Sequence, residues 1–119
     1  MSVDPNFVFA LKKTISVCGG KQGNGKNLLE VDNVDISNGT AQITVDTEKN
    51  RKVIEGIRTA LQRPKLTDAE VLCAHANSRV TNCKGEKGYS SLNIRAQGHE
   101  ITASQPAGSK MAYIEIRRR

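Results

Sequence analysis

Asn38-Gly39 lies between two runs of alternating apolar residues, and few dipeptides constrain a fold as strongly. Both central positions of a type I′ turn need positive φ, which Asn and Gly adopt at least cost. The returning run, Thr40 to Asp46, sends Ala41, Ile43 and Val45 to one face, the period of two that marks a half-buried strand. The incoming run, Leu28 to Ser37, changes parity between Leu29/Val31 and Val34/Ile36, which predicts a bulge near Asp32–Asn33. The chain is therefore expected to contain an antiparallel hairpin.

Alternation also appears before it. Phe7, Phe9, Leu11, Ile15 and Val17 share one parity, broken at Lys13, which predicts a strand over Phe7–Cys18 bent or split near Lys12–Lys13. Gly19 to Asn27 (GGKQGNGKN) carries four glycines and two asparagines and reads as a loop. From about Thr47 the period becomes helical: Val53, Ile57, Ala60 and Leu61 recur at i, i+4, i+7 and i+8, with Ile54 alongside. Asp46 or Thr47 can cap this helix, which runs to about Gln62, before Arg63-Pro64. Gly56 in its middle costs roughly 1 kcal/mol relative to Ala.

Thr67-Asp-Ala-Glu70 has the form of a capping box and predicts a short second helix from Asp68 to about Asn77, with a strand through Val71–Ala74 as the alternative. Asn82–Gly88 reads as a loop. Leu92, Ile94 and Ala96 alternate, Gln97-Gly98 turns the chain, and Ile101 and Ala103 continue on a further strand. After a loop over Ser104–Lys110, Ala112, Ile114 and Ile116 mark a last strand that ends in Arg117-Arg118-Arg119. The expected order is β-β-β-α-(α)-β-β-β: an α+β fold with a mostly antiparallel sheet of about five to six strands and one main helix packed on it.

At 119 residues this is one domain, residues 1–119. The aromatic residues are Phe7, Phe9, Tyr89 and Tyr113, so the core must be aliphatic. No apolar run approaches a membrane span, and Met1 to Asn6 lacks the form of a signal peptide; a cytoplasmic protein is expected. Cys18, Cys73 and Cys83 show no disulfide-framework spacing and read as reduced thiols, with a Cys73–Cys83 bridge as the alternative.

Charge gives the strongest functional lead. The net charge is +6. Residues 1–47 hold four Lys/Arg against five acids, residues 48–66 six against two, and residues 67–119 eight against five. A localised positive field attracts polyanions. Lys49, Arg51, Lys52, Arg58 and Arg63 on the main helix, with Arg117, Arg118 and Arg119, suit phosphate contacts whose strength falls steeply with salt. Scarce aromatics argue against base stacking on a sheet face, so backbone or shape recognition is expected, with RNA ahead of DNA. Charges at i, i+4, such as Arg51 and Glu55, are equally the mark of an ordinary solvated helix.

Gly20 to Asn27 stands one residue from a P-loop pattern, with Asn27 where Ser or Thr should hold magnesium. A strand is expected to follow it, which argues against nucleotide hydrolysis but leaves Lys21 and Lys26 able to touch phosphate. Cys73, His75, Cys83 and His99 lack the paired spacing of a zinc site, so no metal and no cofactor are expected. A small metal-independent ribonuclease is the enzymatic alternative, with His99 and Glu100 as proton-transfer groups and Arg95 or Arg117 as the cation. A third reading is a protein–protein or oligomeric structural module, viral or phage-like, that pairs through an edge strand.

Overall fold

The computed structural model describes residues 2–22, 29–82 and 96–119. Among them the order is α1 (Pro5–Gln22), β1 (Asn33–Ser37), β2 (Thr40–Asp46), α2 (Arg51–Leu61), α3 (Asp68–Asn82), β3 (His99–Ser104) and β4 (Met111–Arg118). The α+β class holds, with three helices and a four-stranded antiparallel sheet among the described residues where one main helix and five to six strands are expected.

The largest correction lies at the start, where Phe7–Cys18 is helix and not strand. Asp4 and Pro5 give the reason. The Asp4 side chain accepts the Asn6 amide at 3.0 Å, its carbonyl accepts the Val8 amide at 3.2 Å, and Pro5 takes the first helical position with φ already suited to it. The buried residues are Phe7, Val8, Leu11 and Ile15, at i, i+1, i+4 and i+8, while Phe9 is 54% exposed. A strand would need Phe9 inside and Val8 outside. The break in alternation at Lys13 is thus the trace of a 3.6-residue period, with Lys12 and Lys13 both exposed. The helix also continues through Gly19–Gln22, where a loop was expected.

The hairpin forms as its turn dictates. Asn38 and Gly39 have φ of 52° and 77°, and β1 pairs with β2 in register from Asn33↔Thr44 to Ser37↔Thr40. That ladder contains no bulge. The shift of parity arises because residues 29–32 are not strand at all: Leu29 is buried, and Asp32 donates one amide hydrogen bond to Thr44 at 2.9 Å before the ladder begins. Asn50 pins this segment. It is 1% exposed, its Nδ2 donates to the carbonyls of Glu30 (3.0 Å) and Asp46 (2.8 Å), and its Oδ1 accepts the Glu30 amide at 2.7 Å.

The main helix starts later than expected, because Asp46 first folds residues 47–50 into a turn, its Oδ1 accepting the amides of Glu48 and Lys49. The capping box at α3 closes as its sequence implies. Thr67 donates its amide to Glu70 Oε1 at 2.9 Å, and Glu70 donates its amide to Thr67 Oγ1 at 3.2 Å. The helix then runs five residues beyond the expected Asn77, to Asn82, and the strand alternative for Val71–Ala74 falls. Of the Leu92–Ala96 strand, residues 92–95 lie outside the described residues and Ala96 belongs to the turn before β3.

The strands stand in the order β1-β2-β4-β3, every neighbour antiparallel. One face presents Ala41, Ile43 and Val45 beside Ala112, Ile114 and Ile116, all at most 1% exposed. These join Phe7, Leu11, Ile54, Val71 and Leu72 of the three helices in one core. The helices therefore cover one face of the sheet. The other face carries the alternate residues: Asp35, Gln42, Thr44, Asp46, Tyr113, Glu115, Arg117, Glu100 and Thr102, half-buried or exposed.

Candidate nucleic-acid interface

Three of the five cations expected on the main helix are engaged inside the molecule. Lys49 Nζ lies 3.3 Å from Glu30 and 3.4 Å from Asp32, and these carboxylates, Glu30 first, hold its ammonium pKa above the usual value. Arg51 makes a fork on Asp68, Nη1 to Oδ1 at 3.0 Å and Nη2 to Oδ2 at 2.8 Å, and reaches Glu55 at 3.4 Å. Arg58 bonds Glu55 and Asp68 Oδ1 (2.7 Å), while its Nε donates to the Leu66 carbonyl at 3.0 Å. Two guanidinium groups thus converge on Asp68, and Arg51 first, then Arg58, holds its carboxyl below the usual range against the opposing effect of burial. This network fastens α2 to the start of α3. Its positive charge is largely offset by its own acids.

Lys52 and Arg63 are different. Both are exposed, and neither has a carboxylate within 4.0 Å among the described residues. Lys65 shares this state, as do Lys12 and Lys13 on α1. These last three were not singled out in the sequence. Reading Asp4-Pro5 as a helix start would have placed Lys12 and Lys13 on an outer helical face, and Pro64 alone marks Lys65 as part of a surface connection.

The terminal arginines divide. Arg117 Nη2 lies 3.6 Å from Glu115. Arg118 Nη1 lies 3.2 Å from His99 Nε2, which also accepts the Asp4 amide at 3.2 Å. Arg119 donates its amide to the Gly98 carbonyl at 2.7 Å and leaves its side chain exposed. The Lys21 side chain, Lys26 and Arg95 fall outside the described residues, as does most of the loop resembling a P-loop.

Among the described residues His99 and Glu100 of the ribonuclease reading do not share a face of the sheet. His99 is 7% exposed, its ring 4.6 Å from that of Phe7, and two N–H donors already converge on Nε2. Both partners can only donate, so Nε2 is the accepting nitrogen in this arrangement. Glu100, the next residue along β3, projects to the opposite face, across from Arg117 in the register.

Cys73 Sγ lies 3.6 Å from the Ile101 carbonyl, and His75 Nε2 directs its hydrogen at the Ile15 carbonyl at 3.0 Å. Cys83 lies outside the described residues, among which no three metal-ligating side chains gather.

At the α2–α3 connection a shallow cleft of ≈ 480 Å³ is lined by Arg63, Pro64, Lys65, Leu66 and Glu70. On the larger scale the two faces differ in charge. The helix side presents Lys12, Lys13, Lys52, Arg63 and Lys65 with the exposed acids Glu55 and Glu70, whereas the open sheet face presents Asp35, Asp46, Glu100 and Glu115 against Arg117 and Lys110, whose Nζ lies 3.6 Å from Asp46. No protein-family model matches this chain, no curated protein matches its sequence, and no solved structure matches its fold. Among the described residues no helix is long and apolar enough to cross a membrane.

Proposed function

We propose that this protein binds nucleic acid, RNA ahead of DNA, by contacts to the phosphate backbone made from its helix side. The observation that carries the reading is the set of exposed cations with no carboxylate within 4.0 Å among the described residues, Lys52, Arg63 and Lys65, backed by Lys12 and Lys13. Arg51, Arg58 and Lys49 act as scaffold, holding α2 and the segment before β1 in place, and Arg119 adds charge at the C-terminal end. The acidic sheet face repels phosphate, which orients the protein on its partner. The nuclease alternative gains nothing from the placement of His99 and Glu100.

An oligomeric module has one feature in its favour. β1 is an edge of the sheet, while at the other edge the Ile101 carbonyl is already taken by Asn77 Nδ2 at 3.3 Å. Yet β1 has five residues with Asp35 at its centre, a short charged edge of the kind that resists pairing.

Fluorescence anisotropy with labelled single- and double-stranded RNA and DNA tests the proposal, with each mixture also run on a denaturing gel. Salt-sensitive binding of intact probe, lost on Lys52→Glu with Arg63→Glu, is the expected result. Absence of binding at low salt overturns the reading, and a shortened probe replaces it with the nuclease.

A further inference from the structure

We infer that the cleft at the α2–α3 connection receives an unpaired nucleotide, an inference that rests on the nucleic-acid reading. Contacts to phosphate alone require nothing beyond exposed cations, and Lys12, Lys13 and Lys52 provide those on open helix surface. The cleft combines two kinds of lining. Arg63 and Lys65 supply charge, and Pro64 and Leu66 between and beside them supply an apolar wall. An anion without an apolar body would leave that wall in water. A base or ribose joined to a phosphate satisfies both.

The cleft is also held in shape. Leu66 packs against the core, its carbonyl accepts Arg58 Nε at 3.0 Å, and its amide donates to the Arg63 carbonyl at 3.3 Å. Arg58 is in turn fixed by Asp68 and Glu55. The ring of Pro64 restricts the backbone between the two cations. Among the described residues Glu70 is the one acid of the lining, and its carboxylate is turned back onto the Thr67 amide at 2.9 Å while also feeling the charge of Arg63. Two cations against one committed acid leave the cleft net positive. Inside a continuous duplex the bases are stacked and cannot enter it, so strands with unpaired nucleotides gain a contact that duplex lacks. Among the described residues no aromatic ring lines the cleft, so the gain is modest: about fivefold in affinity, the lower end of what stacking one base on a ring contributes.

The experiment compares a short uridine-rich RNA with a duplex of equal phosphate number, by anisotropy and by intermolecular NOEs. The single strand is expected to bind roughly fivefold more tightly, with NOEs from base protons to the Leu66 methyl groups. Arg63→Gln with Lys65→Gln, and separately Pro64→Ser, should reduce that preference while circular dichroism stays unchanged. Equal affinity for the two RNAs, or bound single strand without NOEs to Leu66, overturns the cleft. Binding that falls on Lys12→Glu with Lys13→Glu but ignores the cleft variants also overturns it, leaving the nucleic-acid reading in place. No binding to either RNA removes both.

Discussion

His75 and Asp4 show how single residues fix this fold. His75 is 4% exposed, and burial, with a smaller effect from Arg79, depresses its pKa from 6.5 to about 4, despite the hydrogen bond to Ile15. Between those two values the unfolded chain binds more protons than the folded one, so stability falls as pH falls. The contribution is complete above the unfolded value and lost as pH drops through the folded one. At ~1.4 kcal/mol per pKa unit it amounts to about 3 kcal/mol. Urea unfolding between about pH 7 and about pH 4 should show this loss, and His75→Gln should flatten it. Asp4→Ala should cost about 1 kcal/mol, the ordinary worth of an N-cap, read from the same urea midpoints. The cap was legible in Asp4-Pro5. It was overridden by an alternation in which Phe9 counted as inward, and no local rule tells an exposed Phe from a buried one.

At the level of elements, legibility followed the strength of local chemistry. The hairpin, the capping box and the last strand each rest on groups close in sequence: the positive-φ pair Asn38-Gly39, Thr67 with Glu70, and the alternation of Ala112, Ile114 and Ile116. What could not be read depends on partners far along the chain. Asn50 is pinned to Glu30, and Arg51 and Arg58 meet Asp68. A row of basic residues on a helix looks the same whether its partners are acids of the next helix or a phosphate outside. That pairing gives a test. Asp68→Asn should lower stability by about 1–2 kcal/mol, because the Arg58 guanidinium is largely buried and loses a charged acceptor. It should also tighten RNA binding and steepen its salt dependence, since Arg51 and Arg58 lose a competing anion. Chemical denaturation and anisotropy at two ionic strengths read the two effects separately.

For the whole molecule, the separation of charge between two faces follows from the topology. Antiparallel pairing in the order β1-β2-β4-β3 sends every second residue away from the helices, and those residues include Asp35, Asp46, Glu100 and Glu115. The helices that bury the opposite face carry Lys12, Lys13 and Lys52 outward, and the α2–α3 connection carries Arg63 and Lys65. Net charge alone did not reveal this arrangement, because three basic residues of the helical segment are matched internally and the acids of the strands lie apart in sequence. The direct measurement is amide chemical-shift mapping of the ¹⁵N-labelled protein titrated with a short RNA at low salt. Shifts confined to Lys12, Lys13, Lys52 and residues 63–66 are expected, fading as salt is added. Shifts centred on Thr44, Thr102 and Tyr113 of the open sheet face, or no shifts at all, would contradict the assignment.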